Sequence, residues 1–191
     1  MTDVALVQQT MAETIALHEL VRRADSRPIV TAAAAIVESL RRGGKLLVFG
    51  NGGSAADAQH VAAELVGRFV RERAALAALA LTTDTSVLTS VANDYAYDRV
   101  FARQIEALGH EGDVALAIST SGASPNVVAG LDAARRRGLR TIALTGRDGG
   151  AVGRAADVHV NVPSESTPRV QEVHRTLLHV ICDLVERTLG T

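Results

Sequence analysis

Apolar residues recur along the chain in two different patterns. Over residues 2–23 and 28–42 they fall at helical spacing, and the second stretch closes at Gly43 and Gly44, so two leading helices are predicted. Further on, short and nearly unbroken apolar runs predict strands, which cover residues 45–49, 76–81, 113–118, 140–144 and 158–162. Helical spacing returns at the end of the chain and predicts a last helix over 168–189.

The predicted strands are separated by stretches long enough for helical crossovers, such as residues 55–69 and 126–138. Continuous apolar runs indicate strands that are buried on both faces, so this order predicts an α/β fold with a parallel sheet covered by helices on both sides. A chain of 191 residues is within the size of one domain. We therefore expect a single domain over 1–191, made of an N-terminal helical pair (1–43) and an α/β sandwich (44–191).

Composition and charge limit the possible binding partners and the possible cellular compartment. Lys and Arg number 20 against 21 Asp and Glu, which leaves no basic field to hold a nucleic acid. The single cysteine, Cys182, lies in an apolar helical stretch and is expected to be a buried small residue in a reducing compartment. The first residues do not resemble a signal peptide, and no run approaches the roughly 20 apolar residues of a membrane span. We expect a cytoplasmic protein without a nucleic-acid or membrane partner.

A glycine-rich stretch, "GNGGSAADAQH" over residues 50–60, follows the first predicted strand. It matches the G-x-G-x-x-G/A fingerprint of dinucleotide-binding proteins, which also requires an acidic residue at the end of the next strand. Glu72 precedes that strand and Asp84 lies too far along the chain. The Gly-Lys-Ser/Thr of a Walker motif is absent. What remains is a glycine turn before a helix, which either holds an anion or serves as a turn without a ligand.

A second helix start follows the third predicted strand, at "ISTSGASPN". It carries the hydroxyls of Ser119, Thr120, Ser121 and Ser124, and Pro125 fits the first helical position after an N-cap Ser124. Hydroxyls and backbone amides at a helix start can hold a phosphate without lysine or arginine, and ligands of parallel sheets collect at the carboxyl ends of the strands. This is a stronger phosphate signal than the glycine turn, with a plain helix cap as the alternative.

Histidine, glutamate and glutamine occur at spacings that suit a metal site. His60 and Glu64 are four residues apart and share one helix face, so they can bind one metal ion, although an isolated pair of this kind is more often a surface polar pair. In the last helix Gln171 and His179 lie about 80° apart around the axis. His179 sits in an otherwise apolar stretch, where a histidine is commonly a core residue, and His174 is a competing candidate.

Four motifs together resemble the sugar isomerase (SIS) domain family: "GNGGSAADAQHVAAEL", "LTTDTSVLTSVANDY", "ISTSGASPN" and "VPSESTPRVQEVHRTLLH". They span nearly the whole chain and are most similar to the bacterial members that isomerise sedoheptulose 7-phosphate. The resemblance implies a five-stranded flavodoxin-like sheet and a homotetramer with active sites at subunit interfaces. The implied reaction gives D-glycero-D-manno-heptose 7-phosphate through an enediol(ate), as the first step of nucleotide-activated heptose biosynthesis.

The resemblance also implies a role for individual residues. One Zn²⁺ per subunit would be bound by His60, Glu64, Gln171 and His179, and Glu64 and His179 would be the catalytic acid–base pair. The substrate-binding residues that it implies are Asn51, Gly52, Gly53, Ser54, Glu64, Asn93, Asp94, Ser119, Thr120, Ser121, Ser124 and Gln171.

The same family leaves a second function open. Some of its members are non-catalytic tetramers that bind the bacterial replication initiator, and others sense phosphosugars. Such members generally lack the complete set of glutamate, glutamine and histidine residues that this chain carries. The complete set favours an isomerase, but hydroxyls that recognise phosphate do not report the number of carbons, so another phosphosugar also stays open.

Overall fold

The computed structural model describes residues 1–190, so Thr191, the last residue of the predicted domain, lies outside the described part. Five strands within it form one sheet in the order β2-β1-β3-β4-β5, and all neighbouring strands are parallel. The strands are β1 (Leu46–Gly50), β2 (Ala78–Ala80), β3 (Val114–Ser119), β4 (Arg140–Gly146) and β5 (Val158–Val162). The predicted α/β fold with a five-stranded parallel sheet is confirmed.

The extent of the second predicted strand was wrong. The apolar run 76–81 predicted six residues, whereas β2 has three. β2 lies at the edge of the sheet and pairs with β1 alone. Leu76 instead donates its backbone N–H to the carbonyl of Leu65 in the preceding helix, at 3.0 Å. The run therefore begins as a connection to that helix and joins the sheet only at Ala78.

Helices cover both faces of the sheet. They are α1 (Asp3–Arg23), α2 (Arg27–Arg41), α3 (Gly53–Val66), α4 (Thr85–Asp94), α5 (Val100–Leu108), α6 (Pro125–Arg136), α7 (Gly150–Ala155) and α8 (Thr167–Leu189). The two leading helices, both crossovers and the last helix are confirmed, with ends that differ by a few residues. The apolar spacing did not delimit α4, α5 and α7. No helix in residues 1–190 is long and apolar enough to cross a membrane.

Alternate residues of β1 supply two separate cores. Leu46 and Val48 pack under α2, α3 and α8, while Leu47 and Phe49 pack under α5 and α6, and all four are fully buried. This is the pattern expected of a strand covered on both faces. Cys182 lies in the first core as predicted, and burial raises the pKa of its thiol to about 12.

The order of the strands determines where a ligand can bind. The chain moves from β1 to β2 on one side and then returns to β3 on the other, so the direction of winding reverses between β1 and β3. Parallel open sheets bind ligands at such a reversal, outside the carboxyl ends of the strands. The register pairs Gly50 with Ile118, which places the glycine-rich stretch beside the stretch that begins at Ser119.

Candidate active site

The glycine loop, residues 50–53, connects β1 to α3 by a tight turn. Gly52 has a φ of +57°, a conformation that side-chain-bearing residues rarely adopt, and it is the N-cap of α3. Its carbonyl accepts from the amides of Ala55 and Ala56, and the carbonyl of Asn51 accepts from Ser54 at 3.0 Å. Ser54 is buried beneath the turn. The loop therefore brings backbone and the start of α3 to the carboxyl edge of the sheet.

The serine loop, residues 119–124, brings its hydroxyls together. Ser119 Oγ lies 3.2 Å from Ser124 Oγ and 3.4 Å from Ser121 Oγ, and Ser121 Oγ also accepts from the amide of Ala123 at 3.2 Å. Ser124 is the N-cap of α6, as predicted, but its side chain makes no capping hydrogen bond. The plain helix-cap alternative therefore fails for Ser124, because its hydroxyl faces Ser119 instead.

The two loops are joined by a pair of asparagines. Asn51 Nδ2 donates to Asn126 Oδ1, and Asn126 Nδ2 donates to Asn51 Oδ1, both at 2.9 Å. Tyr97, in a short 3-10 turn after α4, donates its hydroxyl to Asn51 Oδ1 at 3.3 Å. Sequence reasoning missed Asn126 and Tyr97. Asn126 is nevertheless the last residue of "ISTSGASPN", and an amide in the first turn of the helix that follows a predicted phosphate loop was the signal that the sequence offered.

Asn93 and Asp94 end α4, and both are exposed. Asn93 Nδ2 donates to Asp94 Oδ1 at 2.8 Å, which is the side-chain hydrogen bond that the structure gives to this pair. Tyr97 follows three residues after Asp94 and reaches Asn51. The segment therefore contacts the glycine loop through Tyr97. The binding roles of Asn93 and Asp94 stay predictions.

The histidine cluster, which consists of His60, Glu64 and His179, forms between α3 and α8. His60 Nε2 lies 2.9 Å from His179 Nε2 and 3.0 Å from Glu64 Oε1. One ligand atom from each of the three residues lies within 4.8 Å of the others, and all three side chains are half-buried. The ring of Phe69 packs beside His179, with ring centroids 5.3 Å apart. The structure therefore brings three of the four expected metal ligands together within one chain.

Electrostatics favour a neutral His179 in this cluster. Burial lowers the pKa of His179, the charge of His60 lowers it further, and the carboxylate of Glu64 opposes both effects. Arg175 lies 3.3 Å from His60 Nδ1 and donates to Asp57 Oδ1 at 2.8 Å. Arg175 therefore joins Asp57 and His60 along the outer side of the cluster.

The donor atoms of the histidine cluster suit a metal ion. Two imidazole nitrogens and one carboxylate oxygen are ligands that zinc accepts, and three protein ligands with one open position are typical of catalytic zinc sites. The ligand atoms come from two helices, α3 and α8, and lie within 4.8 Å of one another. His60, Glu64 and His179 could therefore hold a metal ion.

Gln171 and His174 on α8 have different surroundings. The carboxamide of Gln171 lies directly over Gly53, where any side chain at position 53 would overlap it. Its role as a fourth ligand stays a prediction. His174 is fully buried, and its Nε2 lies 3.0 Å from the carbonyl of Thr145, while burial lowers its pKa. His174 thus faces the sheet, and His179 is the histidine that joins the cluster.

Comparison with known proteins assigns the class of this fold and site. The SIS domain profile matches residues 11–146, which is well over half of the chain. The chain belongs to the SIS domain family.

Individual relatives narrow the comparison further. The chain is 57% identical over 175 residues to a phosphoheptose isomerase of Pelobacter propionicus, an alignment that covers 91% of this chain and 92% of the relative. Its structure superposes on a phosphoheptose isomerase from Neisseria gonorrhoeae with a TM-score of 0.92 and 46% identity, over 97% of this chain and all of the other. A phosphoheptose isomerase from Francisella tularensis gives a TM-score of 0.94 at 37% identity, over 98% of this chain and 100% of that one.

Proposed function

We propose that this chain is a phosphoheptose isomerase, which converts sedoheptulose 7-phosphate to D-glycero-D-manno-heptose 7-phosphate at the start of nucleotide-activated heptose biosynthesis. The observation that carries the proposal is the histidine cluster, formed by two helices in a chain whose relatives are named for this activity. A non-catalytic binding protein would not need a carboxylate and two imidazoles at hydrogen-bonding distance in a half-buried site.

The serine loop is proposed to bind the phosphate. The hydroxyls of Ser119, Ser121 and Ser124 converge at the start of α6, where backbone amides and the helix dipole favour an anion. Thr120 lies between them and is partly exposed. A second group of residues is proposed to bind the sugar hydroxyls and the open-chain carbonyl. It consists of Asn51, Gly52, Gly53, Ser54, Glu64, Asn93, Asp94 and Gln171. Phosphate binding then holds the far end of the sugar in place.

Glu64 and His179 are proposed to move the protons. Isomerisation of a ketose removes a proton from C1, forms an enediol(ate) and returns a proton to C2. Glu64 Oε1 faces His60 at 3.0 Å, which leaves Oε2 to take the proton from C1 and return it to C2. A neutral His179 has one N–H and one lone pair, so it can pass a proton between O1 and O2.

One zinc ion per subunit is proposed, with His60, Glu64 and His179 as ligands and Gln171 as the fourth. The nitrogen and oxygen donors within 4.8 Å support zinc over a hard cation, which prefers oxygen alone. When bound, zinc polarises a carbonyl oxygen and stabilises negative charge on it. Because a metal-bound carboxylate is a weaker base, Glu64 needs its second oxygen free for the proton.

A homotetramer with active sites at subunit interfaces is also proposed. In helix α1, Leu17 is buried. Polar contacts join α1 to α8, such as the hydrogen bond from the Thr14 hydroxyl to the Glu172 carboxylate at 2.8 Å. Several other apolar residues of α1 are more than half exposed, among them Val4, Val7, Met11 and Ile15. An apolar row of this kind suits burial against other subunits. The helical pair and the sandwich would act as one domain, and the reduced Cys182 is in keeping with the cytoplasm.

The activity is tested by the substrate range of the purified, zinc-loaded protein. Phosphorylated ketoses of five, six and seven carbons are incubated separately, with unphosphorylated sedoheptulose as the matched control for the phosphate. We expect turnover of sedoheptulose 7-phosphate and at least about 100-fold lower kcat/KM for sedoheptulose. Preferred turnover of a shorter ketose phosphate would move the assignment to another sugar, and absence of turnover on all of them would favour a binding protein.

A further inference from the structure

We propose that Asn126 is a positioning residue, which holds the side-chain amide of Asn51 so that one N–H points to an oxygen of the substrate. The inference rests on the proposed function and adds a residue to it. Asn126 is 2% exposed in the first turn of α6, so it is not itself open to a ligand. Asn51 is partly exposed at the glycine loop and is in contact with Asn126.

Counting the hydrogen bonds of the Asn51 carboxamide determines what it can offer. Its oxygen accepts from Asn126 Nδ2 at 2.9 Å and from the Tyr97 hydroxyl at 3.3 Å, which uses both lone pairs. Its nitrogen donates one hydrogen to Asn126 Oδ1 at 2.9 Å. One N–H remains. Asn51 therefore presents a donor and no acceptor, which suits a carbonyl oxygen or the oxyanion that develops from it.

The asparagine pair also connects the two ligand loops. Asn51 follows β1, and Asn126 comes two residues after Ser124 of the serine loop. The pair thus crosses the point where the winding of the sheet reverses, between the loop proposed for the sugar and the loop proposed for the phosphate. Two exchanged hydrogen bonds fix both the position and the rotation of an amide, whereas a single one would leave its rotation free.

A double-mutant cycle separates positioning from general support of the fold. Asn51→Ala, Asn126→Ala and the double variant are compared by kcat/KM on sedoheptulose 7-phosphate and by Tm. If Asn126 acts through Asn51, we expect each single variant to lose roughly tenfold in kcat/KM and the double variant to lose no more than Asn51→Ala. Losses that multiply in the double variant, or an Asn126→Ala variant with wild-type kcat/KM, would overturn the proposal.

Two further variants serve as a control and as a substitute for Asn126→Ala. Gln104→Ala removes a buried amide that bonds to the carbonyls of Leu81 and Val100, so it is a matched control that lowers Tm and leaves kcat/KM unchanged. Asn126→Asp keeps the shape of the side chain but cannot donate to Asn51 Oδ1, and it replaces Asn126→Ala if that variant fails to fold.

The result for Asn126→Asp is expected to be a roughly tenfold loss in kcat/KM that disappears in the Asn51→Ala background. Wild-type kcat/KM in Asn126→Asp would overturn the proposal. An inactive wild-type enzyme would instead contradict the proposed function, so the two failures are distinguishable.

Discussion

The serine loop and the histidine cluster are built in different ways. The serine loop draws its hydroxyls from six consecutive residues, and Ser119 is only 4% exposed. The histidine cluster draws its atoms from two helices, and His60 and His179 are 119 positions apart. Its side chains are all partly exposed, with 33% of His60 and 21% of Glu64 accessible to solvent.

This difference in construction parallels the proposed division between phosphate binding in the serine loop and proton transfer in the histidine cluster. The serine loop continues a buried strand, so its geometry is inherited from the core of the sheet. The histidine cluster depends on how α3 and α8 pack, and its protonation depends on its neighbours. We therefore expect substitutions in the cluster to change turnover, and substitutions in the serine loop to change apparent affinity.

The largest effect is expected from Glu64→Gln. Glutamine keeps the shape of the side chain but cannot take a proton, so kcat should fall by about 10² to 10⁴ while the KM changes little. Steady-state kinetics on sedoheptulose 7-phosphate measure both, and Glu111→Gln, at an exposed position, is the matched control. A kcat within a few-fold of the wild type would remove Glu64 as the base.

The next largest effect concerns zinc. His179→Ala removes one of three converging donors, so zinc affinity should fall by more than about 100-fold, which exceeds the usual cost of losing a group that only supports a ligand. Competition with a chromophoric chelator measures it. His110→Ala removes an exposed histidine outside the cluster and should keep wild-type affinity. Equal zinc affinity in both variants would contradict the proposed site.

A smaller effect, on the other side of the comparison, is expected from Ser121→Ala. Loss of one hydroxyl should raise the KM for sedoheptulose 7-phosphate about tenfold and leave kcat nearly unchanged. Ser26→Ala, at an exposed N-cap whose side chain makes no capping hydrogen bond, is the matched control. If kcat fell instead of the KM rising, the serine loop would take part in the chemistry and the contrast would be lost.

The smallest effect on turnover is expected from Glu186→Gln, which acts on the support of the cluster. Glu186 is fully buried and accepts from the backbone amides of Phe69, Val70 and Arg71 at 2.8–3.0 Å, which holds Phe69 beside His179. The variant should lose about 2 kcal/mol of stability, because hydrogen bonds to a charged group are lost, while kcat falls less than about threefold.

The difference in stability between the wild type and Glu186→Gln is expected to depend on pH. Burial raises the pKa of Glu186, but the amides of Arg71, Val70 and Phe69 and the charge of Arg73 outweigh it and hold the pKa below its ordinary 4.5. The ionised Glu186 carboxylate therefore stabilises the folded state fully above pH 4.5, and this stabilisation is lost as the pH falls through the lowered pKa. The difference in Tm between wild type and Glu186→Gln should shrink on acidification. A constant difference would contradict this account of Glu186.

Much of the fold could be predicted because buried parallel strands have a simple signature. β1, β3 and β4 contain nearly continuous apolar runs, and the edge strand β5 has a buried valine at every second position. The centres of all four were predicted correctly. The length of β2 was overestimated because Leu76 and Ala78 are both apolar and fit a strand equally well in sequence. Only the backbone hydrogen bond to Leu65 shows that Leu76 belongs to the connection with a helix. Hydrophobic pattern reports burial, and the partner of each backbone amide decides where a strand begins.

The two parts of the site differ in the same way. The serine loop was predicted from its residues, since hydroxyls at a helix start are local chemistry. The residues alone left His60 with Glu64 and Gln171 with His179 as unconnected pairs, because no periodicity reports the packing of α3 against α8; the connection came from the family resemblance. Asn126 was missed for a related reason: its proposed role depends on a hydrogen bond to an amide 75 positions away.

The central claim is that this site isomerises a ketose phosphate through an enediol(ate), and incubation in deuterated water tests it most directly. Purified, zinc-loaded protein is mixed with sedoheptulose 7-phosphate, and the sugars are followed by NMR. The account predicts an aldoheptose 7-phosphate that carries deuterium at C2, because the proton held by Glu64 exchanges with solvent. No conversion by the folded, zinc-loaded protein would contradict the account, and it would favour either another phosphosugar as substrate or a non-catalytic phosphosugar-binding protein.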